Sequence, residues 1–262
     1  MVYNYIKRLS TLIQSKITRN ISATESSIYL PHDYLSNDLL SNESGLTRCS
    51  FCELSSPKTG ICNSCSSQLI RTGYYCQQCG NSLTCKQPLC GSCLKKPPDY
   101  QRLIAAFDYH SPIDEAMSQM KFNRQLHLIK SLSYCLSQSV IMAYKEEQLP
   151  QLILPIPLHR KRLQERGFNQ SLLIAQQLQH RIGINIDAHS LTRIKNTPHQ
   201  IGLKAVERRR NLKGAFQILD SLPKHIALVD DVVTTGSTIN EASKLCKKHG
   251  VERVDIWCLA KT

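Results

Sequence analysis

The chain has 262 residues, 41% of them apolar, and a formal charge of +13. That length accommodates one sizeable globular domain plus a smaller one. No run of 18 apolar residues occurs, so no membrane-spanning helix is expected, and the basic balance points to anionic partners such as sugar phosphates, pyrophosphate or nucleic acid.

Residues 1–45 are polar, rich in Ser and Asn and without hydrophobic period, which predicts a flexible N-terminal extension. The first 30 residues lack an apolar stretch of signal-peptide length, so a cytoplasmic location with reduced thiols is expected.

Residues 46–98 carry the cysteines. Nine of the twelve lie between Cys49 and Cys93. Eight of the nine form four C-x-x-C pairs: Cys49/Cys52, Cys62/Cys65, Cys76/Cys79 and Cys90/Cys93. One such knuckle grips one side of a metal ion and a second completes a tetrahedron, so four pairs predict two structural zinc sites of four thiolates each. Spacing leaves open which pair joins which, and Cys85 is left over. A disulfide scaffold would need an oxidising compartment, and a thioredoxin-like motif would need one pair beside a βαβ pattern, not four in succession. Gly80 and Gly91 are expected to relax knuckle backbones at positive φ. Lys95-Lys96-Pro97-Pro98 closes the module as a stiff linker. Cys135, Cys246 and Cys258 fall in helix or strand patterns and read as buried thiols.

Residues 99–262 alternate strand and helix patterns. Strands are predicted over 103–109, 152–156, 226–229 and 254–259, with helices over 113–122, 126–144, 172–178 and 239–249. This alternation predicts an α/β domain with a parallel sheet. The strand 226–229 runs into Asp230-Asp231-Val232-Val233-Thr234-Thr235-Gly236-Ser237-Thr238, and a helix follows. Backbone N–H groups and hydroxyls of such a loop, at a helix N-terminus, cradle a phosphate dianion. Two acids beside that anion make sense as acceptors for sugar hydroxyls, or as holders of water around Mg²⁺.

Two basic segments share this domain. Pro155 to Gln170 follows a core strand directly, so its start lies on the same carboxyl edge as Asp230 and Asp231, where open parallel sheets bind ligands. Between Arg193 and Lys213 there are seven Lys or Arg residues against one acid, Glu207. Arginine suits bidentate phosphate contact, which assigns one segment to pyrophosphate and the other to a closing flap.

Four motifs then stand in a specific order: the C-x-x-C pairs, Arg166-Gly167-Phe168-Asn169-Gln170, Arg208-Arg209-Arg210-Asn211-Leu212-Lys213-Gly214-Ala215-Phe216, and the Asp230–Thr238 loop. The loop resembles the signature of type I phosphoribosyltransferases, which bind phosphoribosyl pyrophosphate (PRPP). The whole order resembles the bacterial ComF family, and most closely its GntX branch, over residues 46–262. The resemblance implies a double zinc-binding module (46–98) ahead of a phosphoribosyltransferase-like domain (99–262), and a link to competence for DNA uptake or to DNA as a nutrient. It implies that Asp230 and Asp231 meet the ribose hydroxyls and form the catalytic acids of any transfer. Thr234, Thr235, Gly236, Ser237 and Thr238 would take the 5′-phosphate. Pro157, Leu158, His159 and Arg160 would form the pyrophosphate loop, with Arg193 and Arg208 in the flap. Mg²⁺ would accompany PRPP. The expected partners are PRPP, single-stranded DNA and DNA-uptake proteins. Two classes of function stay open: an enzyme that transfers a phosphoribosyl group, and a non-catalytic platform for single-stranded DNA or partners.

Overall fold

A computed structural model describes residues 47–57, 59–122, 125–196 and 211–262. The N-terminal extension, Arg208 and most of the second basic segment lie outside these residues.

Two short cysteine-bearing units come first, and the second repeats the plan of the first. In the first, β1 (Thr47–Arg48) and β2 (Ser55–Ser56) pair antiparallel and α1 (Asn63–Leu69) follows. In the second, β3 (Tyr74–Tyr75) and β4 (Ser82–Leu83) pair antiparallel and α2 (Gly91–Lys95) follows. Each hairpin joins the members of a knuckle to a second pair that opens the helix.

The α/β part runs β5 (Arg102–Asp108), α3 (Ile113–Phe122), α4 (His127–Ala143), β6 (Leu152–Pro155), α5 (Arg160–Arg166), α6 (Gln170–Ile182), β7 (Leu191–Arg193), β8 (Phe216–Ile218), β9 (His225–Val233), α7 (Ser237–Lys248) and β10 (Arg253–Lys261). Four strands form a parallel sheet in the order β5-β10-β9-β6, and β7 pairs antiparallel with β8. Central strands buried on both faces need apolar residues at successive positions, and β9 and β10 supply them. Val229 and Trp257 face α4 and α6, where Leu132, Leu136, Ile174 and Leu178 pack on them. Leu228 and Ile256 face the other way, onto Ile239, Ala242 and Cys246 of α7. Cys135, Cys246 and Cys258 are buried as expected.

The sequence ends its third strand at Val229, whereas β9 continues to Val233. The extension is imposed by β10, which pairs Cys258 with Asp230, Ala260 with Val232 and Lys261 with Val233. Ladder pairing here overrides the poor strand propensity of aspartate. The helix α5 and the pair β7–β8 carry too short a pattern to be read from sequence. Gly91 departs from expectation as well: it is the first residue of α2, and the left-handed knuckle positions are Glu53 (φ 59°) and Gly80 (φ 73°).

The described residues fall within one compact unit. Cys49 and Ile61 join the same buried cluster as Phe107 and Leu132. Ser50 Oγ lies 3.1 Å from Ser131 Oγ of α4, and a Cβ on Gly60 would stand 2.4 Å from that hydroxyl. Ile70 bridges to Phe107, and the Arg71 N–H donates to the Ala106 carbonyl at 3.0 Å. Among the described residues no helix is long and apolar enough to cross a membrane.

Candidate functional site

The carboxyl edge of the sheet gathers most of the predicted residues. Asp230 and Asp231 sit near the end of β9, half-buried, and the loop 234–236 leads into α7. Gly236 caps that helix at φ 72°, a left-handed backbone that glycine adopts without strain. Thr234 and Thr235 are exposed, and Thr235 Oγ1 lies 2.9 Å from Ser237 Oγ. No acid occupies the first turn of α7, which leaves its N-terminal dipole free of a competing charge.

The segment Pro157–Arg160 stands alongside. The Ile156 N–H donates to the Val229 carbonyl at 2.8 Å, so the chain leaves β6 still paired to the acid-bearing strand. His159 caps α5, its Nδ1 accepting from the Lys161 N–H at 3.3 Å. That contact gives the imidazole a structural task at the helix entry. Gly167 ends α5 in the left-handed region at φ 80°, and Asn169 starts α6. Asn169 bridges the two elements: Nδ2 donates to the Ile156 carbonyl at 3.1 Å, and Oδ1 accepts from the Ser171 N–H at 3.1 Å.

Two groups escaped sequence reading. Ser171 Oγ donates to Asp230 Oδ1 at 3.0 Å, and the Asp231 N–H donates to the same oxygen at 2.9 Å. Lys121, in the last turn of α3, places Nζ 2.8 Å from Asp231 Oδ2. A lysine in a last helical turn reads as a partner for the helix dipole, so nothing in the sequence tied it to a distant acid on another element. Burial pushes the Asp230 carboxyl up to about 7; the adjacent Asp231 charge adds to this, and the Asp231 N–H, Ser171 and Lys121 oppose it. Burial alone would lower the Lys121 ammonium, but Asp231 outweighs it and holds the lysine above its ordinary range.

Arg193 of β7 lies over the Phe216 ring at 5.6 Å. Burial lowers its guanidinium pKa, the Arg162 charge adds to that, and Asp230 opposes it, which puts Arg193 within electrostatic reach of both. Arg160 is exposed at the start of α5.

The cysteines assemble in chain order. Cys49, Cys52, Cys62 and Cys65 form one group, Cys76, Cys79, Cys90 and Cys93 the other, with all ligand atoms of a group within 4.8 Å of one another. Cys85 is exposed and belongs to neither. Sulfurs about 2.3 Å from a central ion in a tetrahedron stand about 3.8 Å apart. The Cys52–Cys62 and Cys79–Cys90 sulfur pairs are each 3.7 Å apart, so both groups fit a tetrahedral ion. Backbone amides favour the thiolate at one buried cysteine of each group. Burial raises the Cys49 thiol, but N–H donors from Cys62, Cys52 and Phe51 outweigh it and bring it down to about 6. The same balance, with N–H donors from Cys79, Cys90 and Gln78, brings Cys76 to about 7.

Residues 198–262 match the phosphoribosyl transferase domain family. The chain is 40% identical over 206 residues to the DNA utilization protein YhgH of Salmonella typhimurium, spanning 78% of this chain and 91% of that protein. It is 39% identical over 222 residues to competence protein F of Haemophilus influenzae, spanning 82% and 96%. The crystal structure of a purine phosphoribosyltransferase from Pyrococcus horikoshii Ot3 is 19% identical, with a TM-score of 0.33, over 51% of this chain and 72% of that one.

Proposed function

The chain belongs to the ComF family of competence protein F and the DNA utilization protein YhgH, and from that premise we propose that it binds PRPP and serves DNA uptake or the use of DNA as a nutrient. One observation carries the reading: two carboxylates, one oriented by Ser171 and one paired with Lys121, directly precede a Thr/Gly/Ser loop that caps a helix. Asp230 and Asp231 accept hydrogen bonds from the ribose hydroxyls. Thr234, Thr235, Gly236, Ser237 and Thr238 donate to the 5′-phosphate. Pro157–Arg160, with Arg193 and Arg208, meet the pyrophosphate. Mg²⁺ accompanies PRPP and neutralises part of its charge. Positioning and neutralising a departing pyrophosphate is the contribution such a site makes to any phosphoribosyl transfer. In this reading both cysteine groups hold structural zinc, and the reduced thiols suit the cytoplasm.

Calorimetry of the zinc-loaded protein against PRPP and Mg²⁺ tests the assignment. Asp230→Asn with Asp231→Asn removes charge-assisted bonds worth roughly 1.5–3 kcal/mol each, so each loss weakens binding about 10- to 100-fold. Equal binding by wild type and double variant removes the loop from the site.

A second reading, a platform for single-stranded DNA, is favoured by the surface of the cysteine units. Tyr74 is 50% and Leu94 69% exposed there, and Lys86, Lys95 and Lys96 of the same unit are exposed as well. If about four to six phosphates are neutralised, log affinity falls with log salt at a slope of roughly −3 to −4. Affinity that persists from low to high salt refutes the electrostatic account.

A further inference from the structure

The second cysteine unit forms a wall of the phosphate loop. A cavity of about 130 Å³ is lined by Cys79 and Asn81 of that unit, by Tyr100, by Lys261 at the end of β10, and by loop residues 233–236. Backbone and side-chain hydrogen bonds fix the unit there. The Leu103 N–H donates to the Gln77 carbonyl at 3.0 Å, Gln78 Nε2 to the Tyr100 carbonyl at 3.0 Å, and an Arg71 N–H to the Gly80 carbonyl at 2.7 Å. Beyond Tyr100, Asp99 and Asn240 exchange two hydrogen bonds, at 2.8 and 3.0 Å, tying the residue that follows the cysteine module to the first turn of α7. Tyr100 Oη would stand 3.4 Å from a Cβ on Gly236, van der Waals contact, so Tyr100 closes the cavity directly over the loop.

The lining suits a phosphate. Lys261 is only 6% exposed, and its ammonium donates to the Thr262 carbonyl. Hydroxyls come from Thr234, Thr235 and Tyr100, and the Asn81 amide adds a donor. The volume leaves room for a phosphate group and attendant waters. A group of four thiolates holding a divalent ion carries a net negative charge, and it would repel a phosphate beside it. A cation in the same lining offsets that charge, and Lys261, which lines the cavity together with Cys79, supplies one.

We propose that this cavity is the phosphomonoester pocket of the site, with Asn81 from the cysteine unit and Lys261 from β10 binding phosphate opposite the Thr234–Thr238 loop. The assignment rests on the reading of the chain as a PRPP-binding protein. It makes the cysteine module part of the ligand site as well as of the fold.

Asn81 is exposed and can be replaced without disturbing the core. Full-length, zinc-loaded variants are titrated with ribose 5-phosphate and with PRPP plus Mg²⁺, with metal content and melting temperature measured in parallel. Asn81→Asp sets a like charge against a dianion and weakens both ligands about five- to tenfold, whereas Asn81→Lys tightens both severalfold. Both effects shrink as salt is raised, while zinc content and melting temperature stay at wild-type values. Lys261→Met weakens ribose 5-phosphate about tenfold or more. If wild type binds both ligands and the Asn81 variants bind within about twofold of it, the pocket assignment is wrong and the PRPP reading stands. If wild type binds neither ligand, both fall.

Discussion

Asp230 is the place where function and stability pull apart. Its carboxyl is raised from 3.8 to about 7, first by burial and then by the Asp231 charge. Between those values the folded chain keeps a proton that the unfolded chain releases. Stability is therefore present below the lower value and is lost as pH rises through the upper one. At about 1.36 kcal/mol per unit, the shift corresponds to about 4 kcal/mol above pH 7. The group is partly open to solvent, which reduces the expected effect to about 1–3 kcal/mol. Asp230→Asn removes the titration, yet its Oδ1 still accepts from Ser171 and from the Asp231 N–H. The variant is expected to be more stable than wild type by that amount at pH 8, a gain of roughly 2–12 °C in melting temperature. The gain grows from about pH 3.8 to about 7 and is level above. If Asp230 binds PRPP as proposed, the same change is expected to weaken that binding at least about tenfold, a trade of function for stability. Urea melts can be followed through the single tryptophan, Trp257, which is fully buried in the sheet. A variant less stable than wild type at pH 8, or a gain that ignores pH, would refute the reasoning.

Lys121→Met strands Asp231 beside a second acid. Breaking a fully buried pair costs about 3–5 kcal/mol, and these side chains retain 20% and 14% exposure, so a loss of about 1–3 kcal/mol at neutral pH is expected. Adding Asp231→Asn should restore most of it in a double-mutant cycle, and a single variant as stable as wild type would contradict the ion pair's role. Elemental analysis should find about two zinc ions per chain in protein purified reduced. Because Cys49 and Ile61 share a cluster with Leu132, chelation should lower the melting temperature reported by Trp257 as well as loosen the cysteine units. An unchanged Trp257 melt after chelation would show that the two parts are energetically separate.

The sheet was legible because its strands are buried on both faces and carry unbroken apolar runs, as in Ile226–Val229. The cysteine pairs were legible because the C-x-x-C spacing of a metal knuckle is itself a sequence pattern. The order in which the pairs combine was not, since it depends on the short hairpins β1–β2 and β3–β4, whose two-residue strands carry no period. Ser171 and Lys121 were invisible for a related reason: each belongs to an ordinary helical pattern, and only the tertiary placement of α6 and α3 brings them to the acids of β9. The same holds at the opposite edge of the sheet. Asp255 is fully buried and accepts from Tyr144, from His225 Nε2 at 2.9 Å and from Arg253 Nε at 3.0 Å, a network assembled from three separate elements.

The repeated plan of the two cysteine units has a consequence for protein short of metal. Cys52 leaves the first group open to solvent, whereas Cys76 and Cys93 of the second are 1% and 5% exposed. A competing chelator reaches the outer sulfur first, so the ions should leave in sequence. A pulse of colorimetric chelator is expected to show two phases, the faster one altered by Cys52→Ser, and a single phase would overturn the ordering. Under zinc starvation the population would then pass through a half-loaded form. That form has lost its anchor on α4 but keeps the wall behind Thr234–Gly236, so scarcity would erode durability before it touched the ligand site.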